Sequence, residues 1–499
     1  MKIILGSVKT RVLVGGTDIL VDGNMMGNIR SYLSVKVPGS FHANKYLKYH
    51  WDGFHYFITP KGSMATGFLP LLLRFIEEEY PTLNVEIIDE RGELPRFTSE
   101  FIPQIGALVI NEQYIHQKHV IQAYNHWITF RGQQIYFPCG VADASTNAGK
   151  TAIIAGIFLN LIGDQSMLII IHSKPVYREL LQYFTSVFGE IGQINDKNYF
   201  IKCVTLAMIQ TLNRRIEDIN VKKDIGQFTM LAVDEAHRAG AKQYTHSLVH
   251  CNAPVRVFVS GSAFDSSDIV AKMIIVGQSG PRLIKVAKKE LMDKGISVPV
   301  KVKIHLCNTI LRAPVLIRDE CMEKLVYRSV ERASIMLKII KERISVGPIL
   351  VAVERTKHGE FLLEFLTRFS QGLFDRCNIE LTHGKDKGLI QKVDAFKNGE
   401  IDVLVVTGTL REGVNMPLTQ TIIYAVGGES GIYIRQWMGR GERISESKAE
   451  FEFHDFYDIG KYVDYNSLHR LKIYKAENLS VEMDFEKKDL RKVKSIVIK

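Results

Sequence analysis

The sequence predicts an α/β protein in which two tandem domains, each built on its own parallel sheet, follow a small α+β domain. From about residue 101, β-branched apolar runs alternate with helical periods, in QSMLIIIHS, FIKCVTL, FTMLAVDE and VRVFVSGS. After about residue 280 the pattern restarts with VPVKVKIHL, GPILVAVE, IDVLVVTG and TIIYAVGG. Strands that are apolar along their whole length fit a parallel sheet covered on both faces. The first hundred residues lack this pattern, so the expected domains are 1–100, 101–280 and 281–499.

Within residues 1–100 the turn signals VGGTD, VDGN and VPGS separate short strands. An apolar helix is expected from about Ser63 to Tyr80, closed by Pro81, with the polar stretch IDERGELPRFTSE as a linker. A chain of 499 residues is too long for one hydrophobic core. Its apolar stretches, TAIIAGIFLNLIG among them, fall short of the roughly 20 residues a bilayer span needs. With no cleavable N-terminal signal visible, the expectation is a cytoplasmic protein without a membrane partner. Six cysteines without a CxxC pair suit reduced thiols better than a zinc knuckle or a disulfide framework. The net charge of +10 suggests a polyanionic partner. Residues 1–70 could form a basic face: Lys2, Lys9, Arg11, Arg30, Lys36, Lys45, Lys48 and Lys61 stand there against Asp18, Asp22 and Asp52.

The chemistry-bearing motifs lie at predicted strand ends. DASTNAGKT, residues 143–151, runs into an apolar helix. Backbone amides at a helix N-terminus cradle phosphate oxygens, Lys150 neutralises their charge and Thr151 can ligate magnesium, although Ala144 replaces the first glycine of the usual pattern. A lone GKT also fits an ordinary helix start. FTMLAVDEAH adds an apolar strand ending in Asp234 and Glu235, the types needed to hold magnesium through water and to activate an attacking water. The pair makes nucleotide hydrolysis the better reading. Farther on, QWMGRGER places Arg440 and Arg443 about one helical turn apart, where arginine forks would suit γ-phosphate oxygens.

In this order the motifs resemble those of superfamily 2 helicases. Gln117 resembles the Q-motif glutamine; residues 145–151 resemble motif I, DEAH motif II, SGSA at 260–263 motif III, residues 407–417 motif V and 436–443 motif VI. The resemblance implies two RecA-like motor domains and ATP with magnesium as cofactors. It implies nucleotide contacts at Tyr114, Gln117, Ser145, Thr146, Asn147, Ala148, Gly149, Lys150, Thr151, His237, Glu412, Gly413 and Gln436, with Thr151 and Asp234 at the metal. Glu235, Asp234, Arg440 and Arg443 become the catalytic set. Ser260 and Ser262 couple nucleotide state to the grip on nucleic acid. Strand phosphates fall to Ser173, Lys174, Thr205, Gln210, Thr407 and Thr409, each of which would also fit a capping residue.

Two departures stand out. Tyr114 and His116 replace the residues usual before the Q-motif glutamine, so Tyr114 would stack on adenine, and HSKPV from His172 replaces the usual motif Ia strand end. Within the superfamily the chain looks most like the bacteriophage UvsW-type recombination and branch-migration helicases. The carriers are KYLKYHWDGFHYF, residues 45–57, and the C-terminal HDFYDIGKYVDYNSLHRLKIYKAE. The first interleaves Lys45 and Lys48 with Tyr46, Tyr49, Trp51 and Phe54, as base-stacking contacts would, and equally fits a half-buried strand. The resemblance implies a motor acting as a monomer on forked, branched or single-stranded DNA. An RNA helicase and a non-hydrolysing nucleic-acid-binding ATP sensor are the alternatives.

Overall fold

The computed structural model describes residues 1–15, 24–40, 51–265, 268–309, 317–370, 372, 377–408, 416, 418–442 and 450–485. They divide into two compact units, Met1–Ala287 and Lys288–Lys499.

The first unit carries two principal sheets. The small N-terminal sheet has the order Ser63–Ala65, Lys9–Leu13, Lys2–Leu5, Glu86–Asp89, antiparallel except for the last pair. This corrects two sequence expectations. Ser63–Ala65 is an edge strand paired with Lys9–Arg11, so the apolar helix begins only at Leu69, with Pro70 in its first turn where its missing N–H costs nothing. The polar linker is partly structured: Glu86–Asp89 closes the N-terminal sheet, and Arg96–Phe97 pairs with Leu161–Ile162.

Eight strands make the first large sheet among the described residues, in the order 199–200, 192–194, 204–208, 167–171, 230–234, 255–260, 139–144, 282–286. All pairs are parallel except the edge strand Tyr199–Phe200. This is the parallel-sheet architecture read from the continuous apolar runs, and it is RecA-like as the resemblance implied. In Met167–Ile171 every residue is buried, because helices cover both faces. Register aligns the carboxyl ends: Asp143 stands beside Ser260, and Asp234 beside Val259. Loops following strands 139–144, 230–234 and 255–260 therefore emerge together, which is where open parallel sheets bind ligands.

The N-terminal domain is not a loosely tethered module. Ile3, Leu5, Phe68 and Leu72 share one hydrophobic core with Phe130, Ile135, Phe137 and Cys139 of the first motor domain. The seam is tight at the helix Ile269–Ser279, where a Cβ on Gly67 would fall 2.0 Å from the carbonyl oxygen of Val276.

The second unit repeats the architecture with seven parallel strands in the order 379–382, 403–406, 349–352, 421–424, 451–458, 300–307, 480–483. Adjacent residues feed opposite cores. Leu350, Ala352, Leu404 and Val406 pack on one face, and Ile349, Val351, Val403 and Val405 on the other. Behind the sheet, Arg332 makes a bidentate pair with Asp458 and Arg470 binds Asp455, all four side chains essentially buried. Pairing and carbonyl acceptors satisfy those charges, without which burial would be prohibitive. All six cysteines are free thiols, and four of them are buried.

Candidate nucleotide site and nucleic-acid interface

The first candidate centre forms between the strand Cys139–Ala144 and the helix Lys150–Leu159. The connecting loop turns through two left-handed residues, Asn147 at φ 70° and Gly149 at φ 76°. It is braced from outside: His116 Nε2 lies 3.0 Å from the carbonyl oxygen of Ala148, and Gln117 Nε2 donates to the same oxygen at 3.2 Å. A Cβ on Gly149 would sit 2.1 Å from Gln117 Nε2, so the glycine is required by both conformation and close approach. Ser145 anchors the loop's start, donating from its backbone N and its hydroxyl to Val286 O at 3.3 and 3.0 Å. The first amides of the helix have no acceptor within it, which is what an anion cradle requires. Thr146 lies in this loop, Thr151 in the first helical turn, and Tyr114 ends the short helix Glu112–Tyr114 immediately before the braces.

Across the loop, the strand Met230–Asp234 delivers Asp234 and Glu235, the latter at φ 55°. Lys150 Nζ is 3.7 Å from Glu235 Oε1, and Glu235 Oε2 is 3.2 Å from His237 Nδ1. The same imidazole nitrogen lies 3.2 Å from Ser260 Oγ and 3.4 Å from Ser262 Oγ. Lysine, glutamate, histidine and two serines from three separate motifs thus form one continuous polar chain. Asp234 is partly buried at the strand end, and its Oδ1 is buried without a hydrogen-bond partner. Burial, reinforced by the Glu235 carboxylate, pushes its pKa above the usual carboxylate range. A buried orphan carboxylate oxygen beside a phosphate-type loop fits a hydrated divalent cation.

The candidate strand-binding residues fare unevenly. Ser173 stands just before the helix Lys174–Phe188 without capping it through its side chain. Lys174 is exposed and paired with Asp196 at 2.8 Å; Lys174 and Arg214 together hold that carboxyl down to about 2. Gln210 follows the strand Val204–Met208 and donates to His172 O at 2.9 Å, tying two neighbouring strand ends together; its Oε1 is buried without a partner. Thr205 is a correction. It is fully buried at the opposite, amino end of that strand, where its hydroxyl donates to Lys202 O at 2.7 Å and accepts from Lys202 N at 3.0 Å. It cannot reach a phosphate at the carboxyl edge.

In the second unit the helix Gly431–Gly441 carries Gln436 and Arg440. Both amide atoms of Gln436 are buried without hydrogen-bond partners, and Arg440 is buried at 7% exposure. The described helix ends at Gly441; Arg443, and with it the expected pairing with Arg440, lies outside the described residues. Gly441 is a packing residue, since a Cβ there would fall 2.0 Å from the Phe451 ring. Sequence reading missed the anchor next to it, a buried ion pair at 2.6 Å between Glu442 and Lys288. Thr407 immediately follows the strand Val403–Val406 and is 8% exposed. Thr409, Glu412 and Gly413 lie outside the described residues, as do Lys45 and Lys48.

Trp51 opens a tight turn. Asp52 accepts from Phe54 N at 3.0 Å and from the Tyr56 hydroxyl at 2.6 Å, while Trp51 Nε1 donates to Phe54 O at 2.8 Å. The Tyr56 hydrogen bond is the main cause that lowers the Asp52 pKa.

No helix among the described residues is long and apolar enough to cross a membrane. A family model described as the type III restriction enzyme res subunit matches residues 113–263, a stretch that includes Tyr114 and Ser262. IRC3 of Saccharomyces cerevisiae, which carries the name of an ATP-dependent helicase, is 24% identical over 353 residues, 62% of this chain and 47% of that protein. The chain thus spans about half the length of that curated relative. Among solved structures, Dbp5 of S. cerevisiae bound to RNA and ADP BeF3 aligns at 14% identity with a TM-score of 0.51, over 77% of this chain and 93% of that one. UvsW of T4 aligns over 97% of this chain and 99% of that one, at 17% identity and a TM-score of 0.44. With the motifs in order on two parallel sheets and the family match spanning the first centre, the chain is similar to the superfamily 2 helicases.

Proposed function

We propose that this chain is an ATP-dependent DNA helicase or translocase that remodels forked and junction DNA. The observation that carries the nucleotide chemistry is the chain from Lys150 through Glu235 and His237 to Ser260 and Ser262. In this reading the free amides of the loop and of the first helical turn, together with Lys150, hold the phosphates, and Gln117 and Tyr114 bind the base. Magnesium would be held by Thr151 and by Asp234 through water, and would neutralise phosphate charge. Glu235 takes the proton of the attacking water. Arg440 and Arg443 stabilise the charge on the transferring phosphoryl group, with Gln436, Glu412 and Gly413 around the nucleotide. His237 is the group through which a changed charge at Glu235 reaches Ser260 and Ser262, at and just past the end of the strand Val255–Ser260.

On the nucleic-acid side, Ser173, Lys174, Gln210, Thr407 and Thr409 are assigned to strand phosphates. Lys174 reaches a phosphate by exchanging Asp196 for it, an inexpensive exchange for an exposed pair. Trp51, Lys45 and Lys48 are assigned to the branch point, and the turn fixed by Asp52 supports this by holding the indole against Phe54. Because the N-terminal domain shares a core with the first motor domain, a truncation at residue 100 would uncover Phe137 and Cys139. The test therefore uses point variants of the full chain. ATP turnover and strand separation are measured on single strands, duplexes, forks and four-way junctions, in DNA and RNA. Junction DNA should stimulate most, and Trp51→Ala should reduce that preference while sparing turnover on single strands. Stronger stimulation by RNA would make the chain an RNA helicase, and turnover indifferent to any nucleic acid would remove the motor reading.

A further inference from the structure

Behind the first large sheet lies a cavity of about 400 Å³ at the seam with the N-terminal domain. Its walls are largely apolar: Val8, Met64 and Phe68 come from the N-terminal domain, Leu248 and Ile274 from helices of the first motor domain. Arg256 also lines it. This arginine sits near the amino end of the strand Val255–Ser260, the end opposite Ser260, and is 4% exposed. Its guanidinium donates through Nε to Gln278 O and through Nη1 to Cys251 O, both neutral carbonyls. Among the described residues no carboxylate pairs with it, and burial keeps the neighbouring Cys251 and Cys139 thiols protonated and so uncharged. The other ionisable groups lining the cavity are Lys9, His55, Tyr56 and Cys139; among the described residues no aspartate or glutamate lines it.

A guanidinium buried without a counter-charge is costly, which is why buried arginines elsewhere in this chain, Arg332 and Arg470, are each matched to aspartates. Arg256 departs from that pattern at the one place where a cavity adjoins it. Burial accordingly pulls its pKa below the ordinary arginine value.

We propose that this cavity binds a small amphipathic anion, an apolar body bearing one carboxylate or phosphate that pairs with Arg256. Most of the wall then takes up the apolar body, while the anionic group replaces the missing aspartate. The site is separate from the nucleotide centre, being at the amino rather than the carboxyl ends of the strands. It touches the helix Ile269–Ser279, on which the N-terminal domain is seated, so an occupant would contact both domains of the first unit.

The test uses 2-naphthoate and its neutral counterpart 2-naphthalenemethanol as probes, titrated calorimetrically into the full chain. The anion should bind at least about tenfold more tightly than the alcohol, the range expected for one charge-assisted hydrogen-bonded pair. Arg256→Met should remove that preference, and its melting temperature without probe should be no lower than that of the parent. Val249→Glu, which adds a negative charge at a partly exposed position of the lining, should weaken the anion without disturbing the fold. It keeps the test decisive if Arg256→Met does not fold. Equal affinity for the two probes, or an anion preference that survives Arg256→Met or Val249→Glu, would overturn the proposal. Displacement of bound 2-naphthoate by single-stranded oligo-dT would also overturn it, since Arg256 would then belong to the nucleic-acid path.

Discussion

Replacing Glu235 by glutamine isolates one charge in the polar chain while preserving its shape. The lost proton acceptor should lower ATP turnover by roughly 10²- to 10⁴-fold, the range for a positioned general base, or about 3–5 kcal/mol of transition-state free energy. The fold should barely notice. The Lys150–Glu235 pair is 3.7 Å long with side chains 19% and 25% exposed, a geometry that contributes less than about 1 kcal/mol. The left-handed backbone at φ 55° is as costly for glutamine as for glutamate. Removing the Glu235 charge also takes away one of the causes that raise the Asp234 pKa, so nucleotide with magnesium should bind at least as well as before. The assay is phosphate release at saturating ATP, with binding of a fluorescent ATP analogue and a urea unfolding curve as controls. Turnover within about threefold of the parent, with binding and unfolding unchanged, would show that the proton leaves by another route.

Lys150→Ala should abolish turnover and leave DNA affinity nearly intact by filter binding, because the proposed strand contacts lie on other loops. Gly67→Ala should destabilise the first unit by about 1–3 kcal/mol or more, since its Cβ would lie 2.0, 2.5 and 2.7 Å from backbone atoms of Val276, Gly277 and Gly280; an unchanged melting temperature would refute that packing. Thr205→Val should cost about 1 kcal/mol by removing the bonds to Lys202 while leaving DNA affinity unchanged. Glu452 tests pH dependence. Burial opposes its charge, but His454, Lys303 at 2.8 Å and Arg343 at 3.3 Å hold its pKa down to about 2. A depressed carboxylate stabilises above its unfolded value near 4.5 and loses that contribution as pH falls toward 2. Glu452→Gln should therefore destabilise the second unit by about 1–3 kcal/mol at pH 7 in urea unfolding, and by progressively less below about pH 4.5.

What the sequence made legible follows from what each signal encodes. Uninterrupted apolar runs such as MLIII and VLVV announce strands buried on both faces, and both large sheets are made of them. GKT and DEAH were readable because phosphate and magnesium chemistry needs those residue types beside backbone that is tightly turned, and the left-handed Asn147, Gly149 and Glu235 supply that backbone. The polar stretch after Asp89 misled because charge marks solvent exposure, and an edge strand is as exposed as a linker. Arg96 does pair in a strand there, with its guanidinium lying over the rings of Trp127 and Tyr136, a contact that no local pattern announces.

Motif order carries a limitation that Thr205 exposes. VTLAMIQTL contains two polar candidates, and matching by residue type treats them alike. The strand Val204–Met208 separates them. Five residues of strand span roughly 17 Å, so one candidate can stand at the functional rim only if the other stands at the opposite edge. The hydrogen bonds decide which. Thr205 is spent on Lys202 at the amino end, whereas Gln210 lies at the carboxyl end and reaches across to the next strand's terminus at His172. The same division applies within the strand Val255–Ser260. Ser260 belongs to the polar chain at the carboxyl end, and Arg256, toward the other end, faces a cavity that the motifs never mention. In a parallel sheet one short strand can therefore serve two chemically unrelated places, and a motif identifies only the one at its carboxyl end.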